Sequence, residues 1–81
     1  MNSYTIYILT SIKIPKTYVG YTSNLARRLR EHNAGRVKAT KHFCPWNLLH
    51  KEIVTCLSKA KKREQYWKSA AGRKKLKLFF G

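Results

Sequence analysis

One stretch of this chain, residues 18–32, combines residue types that could act on a phosphate group. It contains Tyr18, Arg28 and His32, and Gly20 lies where a strand-like segment gives way to a helix-like one. The planar guanidinium of an arginine matches phosphate oxygens in a bidentate way. A tyrosine phenol is a poor base at neutral pH, but a metal ion and nearby cations would favour its phenolate. The stretch therefore predicts part of a site for phosphodiester hydrolysis.

A second candidate, Glu64, has an unexpected position in a predicted helix. Steps of three and four residues place it within an apolar stripe, which consists of Leu57, Ala60, Glu64, Trp67 and Ala71. A charge half-buried there costs several kcal/mol unless it is paired or binds a metal. It could form an ion pair with one of the many cations, or it could be a ligand for Mg²⁺, which prefers oxygen.

The scarcity of acidic residues limits the kind of metal site. The chain has only three carboxylates, on Glu31, Glu52 and Glu64. We therefore expect any metal to be held by very few protein ligands. A two-metal site with several converging carboxylates is excluded.

The charge of the chain indicates a polyanionic partner. Among 81 residues, 18 Lys and Arg outnumber 3 Asp and Glu, for a net charge of +15. This balance favours nucleic acid before a membrane surface. Small ribosomal and chromatin proteins share it without any catalysis, so charge alone does not predict an enzyme. Five residues are candidates for contact with nucleic acid: Tyr21, Arg27, Arg36, Lys38 and Lys41. A solvated basic loop would have the same composition over residues 35–45.

The length of the chain predicts one domain spanning residues 1–81. We also expect the protein to be cytoplasmic. No apolar run approaches the length of a membrane span, and we expect no signal peptide. Cys44 and Cys56 lack the paired spacing of a zinc site, so we expect reduced, partly buried thiols.

The segments that must position the candidates follow from local patterns. Residues 4–10 are apolar on both alternating faces, which predicts a central strand, and residues 17–21 continue it as a hairpin. A turn centred on Ile12 and Lys13 would place Tyr7 opposite Tyr18.

Helices and a third strand complete the prediction. A helix capped by Thr22 or Ser23 runs to about Ala34 and stops at Gly35. A third strand covers residues 46–55, and Ser58 caps a second helix that ends near Ala71. Gly72 then interrupts, and a short helix over residues 73–80 covers the core with Leu76, Phe79 and Phe80.

Taken together, these residues resemble the GIY-YIG endonuclease superfamily, in particular its short single-domain bacterial members. Thr5-Ile6-Tyr7 stands where the family has Gly-Ile-Tyr, and Tyr18-Val19-Gly20 stands where it has Tyr-Ile-Gly. The helix over residues 24–32 carries the family's arginine, and Arg63-Glu64 carries its metal glutamate. Four elements in the expected order make the resemblance specific, and it covers essentially the whole chain.

The resemblance implies an α+β fold, in which helices flank a small three-stranded antiparallel sheet. The implied order is β-β-α-β-α, and the pattern of residues 73–80 adds a short C-terminal helix. The resemblance also implies that DNA is hydrolysed with a single Mg²⁺ or Mn²⁺. Tyr18 would activate or orient the attacking water, Tyr7 would position that water or the phosphate, Arg28 would stabilise charge on the scissile phosphate, and Glu64 would bind the metal.

Some positions depart from the family pattern or leave alternatives open. Thr5 replaces the motif's Gly, and Tyr21 stands where some relatives have a Lys. Tyr21 is either an additional polar group at the site or a strand-end aromatic. His32 could assist proton transfer, although a histidine at a helix end more often caps the helix or binds phosphate.

The sequence therefore predicts a metal-dependent DNA endonuclease acting on structured or duplex DNA. The main alternative is a non-catalytic nucleic-acid-binding protein of the same fold, and a more distant one is an RNA-binding accessory protein of the ribosome. We expect no separate DNA-recognition domain in a chain of this length. It would read DNA structure, cleave with little specificity, or be targeted by a protein partner, and its oligomeric state stays open.

Overall fold

The architecture is a three-stranded antiparallel sheet with helices on both faces. The structure, a computed structural model, describes residues 3–80 and gives the backbone alone for Phe79 and Phe80. Its elements are β1 (Tyr4–Ser11), β2 (Thr17–Thr22), α1 (Leu25–Asn33), β3 (Trp46–Val54), α2 (Leu57–Lys68) and α3 (Ala70–Phe80). The strands lie in the order β2-β1-β3. The predicted fold class is confirmed, and the strand bounds agree with the prediction to within one residue.

The central strand β1 separates two apolar layers. Its alternating side chains bury Ile6 and Ile8 on one face and Tyr7 and Leu9 on the other. Such β-branched and aromatic residues pack well on a pleated surface that is covered on both sides. On the first face lie buried residues of α2 and α3, namely Ala60, Trp67 and Leu76. On the second face lie Leu25 and Leu29 of α1 together with Trp46 and Tyr18.

The hairpin register differs from the prediction by two residues. Tyr7 pairs with Gly20 and Leu9 pairs with Tyr18, so Tyr7 and Tyr18 are diagonal neighbours on the same face. The cause is a longer loop over residues 12–16. The Ser11 hydroxyl stabilises this loop, since it accepts hydrogen bonds from the backbone N–H groups of the next turn and donates to the Phe43 carbonyl at 2.6 Å.

The N-cap of helix α1 lies one or two residues later in the chain than the sequence predicted. Asn24, not Thr22 or Ser23, is the N-cap, and its side-chain oxygen accepts from the Arg27 N–H at 3.1 Å. The Thr22 hydroxyl accepts from the Asn24 N–H at 3.1 Å and so orders the turn before the cap. Gly35 has φ +74° and follows the helix, as the sequence predicted.

The break between the last two helices was predicted at Gly72 but lies at Ser69. The Ser69 hydroxyl accepts from the Gly72 N–H at 3.3 Å and caps α3. Gly72 is buried inside α3. A Cβ at this position would overlap the Tyr66 carbonyl and the Trp67 Cα of the preceding helix. The two helices therefore cross so closely that only glycine fits.

Other details of these helices also correct the prediction. The N-cap of α2 is Cys56, not Ser58. Leu57 and Ala71, predicted to face the core, are exposed. Leu76 is buried as expected, whereas the expectation for Phe79 and Phe80 concerns side chains outside the described part.

Two further expectations can be compared with the structure. Cys44 and Cys56 are free, partly buried thiols. Over residues 3–80, the helices lack the length and apolar character needed to cross a bilayer.

Candidate active site

A buried hydrogen-bonded chain connects β1 to α1. The Tyr7 hydroxyl lies 2.9 Å from His32 Nε2, and His32 Nδ1 lies 2.7 Å from the Thr40 hydroxyl. The Thr40 hydroxyl donates to the Val37 carbonyl at 3.5 Å, which leaves its oxygen to accept from Nδ1–H. Nε2 of the neutral imidazole then accepts the proton of the Tyr7 hydroxyl.

Burial keeps both partners of this chain neutral. Desolvation lowers the pKa of His32, and the nearby Arg28 charge lowers it further, while Glu31 opposes them. Desolvation raises the pKa of the Tyr7 phenol, although a hydrogen bond from Arg28 opposes it. At neutral pH, Tyr7 is therefore a neutral hydroxyl that donates to an uncharged His32.

Arg28 lies at the outer end of the chain. Its guanidinium donates a hydrogen bond to Glu31 at 3.1 Å and interacts with the Tyr7 phenol, where it opposes the rise in pKa caused by burial. The side chain is 38% exposed. Arg28 is thus paired with Glu31 and still accessible to an anion.

Tyr18 brings a second phenol beside this chain. Its ring centroid lies 5.1 Å from that of His32 and 6.4 Å from that of Tyr7. Gly20 permits this packing, because a Cβ there would lie 2.5 Å from the Tyr7 hydroxyl oxygen. Unlike Tyr7, Tyr18 is only partly buried, and it lines an open groove at the edge of the sheet.

The three carboxylates differ in how firmly they are held. Glu31 pairs with Arg28, and Glu52 receives several hydrogen bonds. Glu64 is 21% exposed, and its ion pair with Lys68 is 3.6 Å long, beyond hydrogen-bond range. The Nζ of Lys68, 3.6 Å from this carboxylate, also lies 6.0 Å from the centroid of the Tyr18 ring, so Glu64 lies near the tyrosines. Of the three, Glu64 is the most available to a ligand.

The contacts of Glu52 form a clamp that the sequence analysis did not find. Arg63 donates from Nε at 2.8 Å and from Nη2 at 2.9 Å, and the Trp67 indole N–H donates at 3.0 Å. His50 lies 3.1 Å away. These bonds, above all those from Arg63, lower the pKa of Glu52 to about 2. The clamp ties β3 to α2 beside Glu64. Its only sequence signal is the spacing of four between Arg63 and Trp67.

Comparison with known proteins places this geometry in a family. Residues 3–77 match the family model described as the GIY-YIG catalytic domain. The chain belongs to the GIY-YIG family. This confirms the resemblance inferred from the four sequence elements.

Relatives within the GIY-YIG family include proteins of similar length. A UPF0213 protein of Haloquadratum walsbyi is 38% identical over 79 residues, covering 96% of this chain and 89% of the relative. The solution NMR structure of a UPF0213 protein from Bacillus halodurans superimposes with a TM-score of 0.57 at 28% identity. It covers 94% of this chain and 81% of that chain. UPF0213 is a name that states no activity.

A more distant relative has a functional name. A structure-specific endonuclease subunit SLX1 homolog of Cryptosporidium parvum is 43% identical over 49 residues. The match covers 56% of this chain but only 12% of that protein. Together with the GIY-YIG catalytic domain, this relative suggests nuclease activity.

The donor set of this GIY-YIG domain fits a sparse metal site. Within residues 3–80, no three His, Cys, Asp or Glu side chains gather in one group. Glu64 is a lone, loosely paired carboxylate near the tyrosines. Such a donor set fits Mg²⁺ or Mn²⁺, which bind through one or two carboxylates with water and phosphate completing the shell. Glu64 would hold the ion.

The candidate nucleic-acid residues fall in different places. Arg27 and Arg36 line a groove at the end of α1 together with Arg30 and Glu31. Lys38 and Lys41 are exposed in the following segment. Tyr21 packs on the opposite face of the sheet, against the layer that contains Ile6. The structure thus brings Tyr7, Tyr18, Arg28 and His32 together, with Glu64 close by, and places Tyr21 apart from them.

Proposed function

We propose that this protein is a metal-dependent DNA endonuclease that hydrolyses phosphodiester bonds. One observation carries the proposal: partly exposed Arg28 interacts with Tyr7, the Tyr7 hydroxyl bonds to buried His32, and Tyr18 lies beside them. The cluster presents a partly exposed guanidinium and, at an open groove, the side chain of Tyr18. Buried hydrogen bonds preorganise such groups and remove the cost of arranging them during the reaction.

The two tyrosines have different roles in this proposal. Tyr7 is 2% exposed, and its hydroxyl is hydrogen-bonded to His32 and interacts with Arg28. It fixes Arg28 and, with it, the phosphate that Arg28 binds. Tyr18 is partly exposed at the groove and would activate or orient the attacking water.

Arg28 and Glu64 supply opposite charges to the reaction. The Arg28 fork would stabilise the negative charge that develops on the scissile phosphate, a contact worth about 2–4 kcal/mol in the transition state. Glu64 would hold the divalent ion. When bound, that ion supplies Lewis-acid stabilisation of the phosphate and a more acidic water.

His32 acts behind the reacting groups. Its Nε2 accepts from Tyr7 and its Nδ1–H is fixed by Thr40, so the imidazole cannot rotate without breaking two hydrogen bonds. As a neutral base it could accept a proton from Tyr7, which connects it to proton transfer at the site.

The test is cleavage of branched, nicked and plain duplex DNA by the purified protein with Mg²⁺ or Mn²⁺. We expect Glu64→Gln and Tyr18→Phe to lose cleavage by about 10²-fold or more. Tyr66→Phe is the matched control, because Tyr66 packs on the opposite layer. Circular dichroism checks that each variant is folded.

The possible outcomes separate the two candidate functions. Cleavage that persists unchanged in both variants refutes the assigned site. If the protein binds DNA tightly but cleaves no substrate in the presence of metal, the non-catalytic nucleic-acid-binding function is favoured. The net charge of +15 is also consistent with that function.

A further inference from the structure

An open groove runs along the free edge of β2, next to the proposed catalytic groups. It is lined by Thr17, Tyr18, Val19, Trp67, Lys68, Arg73 and Leu76. β2 is an edge strand, and the opposite wall is the junction between α2 and α3. Its volume of about 260 Å³ and its exposed cations differ from the larger, mostly apolar pockets that enclose small molecules. The shape suits a segment of an extended chain.

Two cations stand in this groove without an acid among the lining residues. Lys68 ends α2 and is 51% exposed, and Arg73 is exposed in the first turn of α3. The backbone holds Arg73 in place, since its N–H donates to the Ser69 carbonyl at 2.9 Å. The two side chains therefore project from a rigid junction and not from a flexible loop.

Lys68 connects the groove to the proposed active site. Its Nζ lies 3.6 Å from the Glu64 carboxylate and 6.0 Å from the centroid of the Tyr18 ring. Tyr18 itself lines the groove. If the scissile phosphate lies between Tyr18 and Arg28, the next phosphate of the DNA backbone would lie near Lys68, because Lys68 stands beside Tyr18.

We propose that this groove binds the backbone phosphate next to the scissile one, with Lys68 and Arg73 as its ligands. The inference rests on the proposed function and extends it to the path of the DNA strand. Buried Trp67 and exposed Thr17 also line the groove. The contact is to phosphate, so it fixes the register of the strand and reads no base.

The first experiment measures the salt dependence of binding to a single-stranded oligonucleotide. The variant Lys68→Ala with Arg73→Ala is compared with Lys62→Ala with Lys74→Ala. The control also removes one exposed cation from each of α2 and α3, but not from the groove. Because the groove is proposed to bind one phosphate, we expect the groove variant to reduce the magnitude of the slope of log K against log salt by about 0.7, and the control variant by less than half of that. Equal slopes in the two variants overturn the proposal.

The second experiment locates the phosphate. A DNA substrate carries an uncharged methylphosphonate at the position next to the cleaved bond, on one side or the other. We expect wild-type cleavage to fall about tenfold for one of the two positions, and the penalty to disappear in the groove variant because the cations are already absent. A penalty of the same size in both proteins overturns the proposal.

The two experiments distinguish this inference from the proposed function. Without cleavage by the wild type, the proposed function fails, and the salt slopes alone decide whether the groove binds phosphate. If the wild type cleaves DNA but the groove variant and the control variant have equal salt slopes, the proposed function is retained and the groove does not bind the DNA strand.

Discussion

Replacing Gly20 by alanine tests whether contact between β1 and β2 holds the catalytic chain in place. The new Cβ would lie 2.5 Å from the hydroxyl oxygen and 2.7 Å from Cζ of Tyr7. Carbon atoms pack at about 3.5–4.0 Å, so the phenol would have to move by about 1 Å. It is not free to move, because Tyr7 is buried in the core and bonded to His32 at 2.9 Å.

The magnitude follows from two opposing effects. Overpacking a core of this kind costs about 1–3 kcal/mol. Alanine in a strand is otherwise favoured over glycine by about 0.5–1 kcal/mol. We therefore expect the free energy of unfolding to fall by about 1–2 kcal/mol. In a domain this small, each kcal/mol lowers the Tm by roughly 4–8 °C. A displacement of about 1 Å at the site would also lower cleavage about 10²-fold.

The assay is urea and thermal unfolding followed by the fluorescence of the two buried tryptophans, Trp46 and Trp67. Adding Tyr7→Phe provides the control, because removal of the hydroxyl oxygen relieves the shortest overlap. The double variant should then lose less stability than the sum of the two single losses. A Gly20→Ala protein as stable as the wild type, or more stable, would refute the reasoning, since only the strand propensity would then be acting.

Two further predictions concern the hydrogen-bonded groups around the site. The pKa of Glu52 is lowered from 4.5 to about 2, so the stability it contributes is complete above pH 4.5 and is lost as the pH falls toward 2. Glu52→Gln should therefore cost about 1–2 kcal/mol at pH 7, after allowance for solvent screening, and the difference from wild type should shrink in urea unfolding below pH 4.5. An equal difference at pH 7 and pH 2 would contradict the clamp. Thr40→Val removes the acceptor of His32 Nδ1–H and should cost about 1–3 kcal/mol, whereas Thr40→Ser keeps it and should cost less; a larger loss for Thr40→Ser than for Thr40→Val on denaturant titration would mean that the methyl group and not the hydroxyl matters.

Much of the fold was predictable because it depends on neighbouring residues. The apolar alternation of residues 4–10 predicted a central strand, and Gly35 predicted the end of α1. The two tyrosine triplets, the helix with Arg28 and the pair Arg63-Glu64 were sufficient for the family. Each of these signals is a short-range pattern in which residue type and spacing reflect local geometry.

The errors have a common physical origin in packing between distant segments. The hairpin register depends on loop length, which the Ser11 contacts with Phe43 help to set. Helix α3 continues through Gly72 because the close crossing with α2 requires a residue without Cβ, and this requirement outweighs the poor helix propensity of glycine.

The sequence by itself determined the fold class, the family and the candidate residues of the site. Only the tertiary structure decided which partners those residues have. Tyr7 meets His32 across 25 positions of the chain, and Arg63 reaches Glu52 across 11. Hydrogen bonds depend on distances within a few tenths of an ångström, and such distances are fixed only when the sheet and helices pack together.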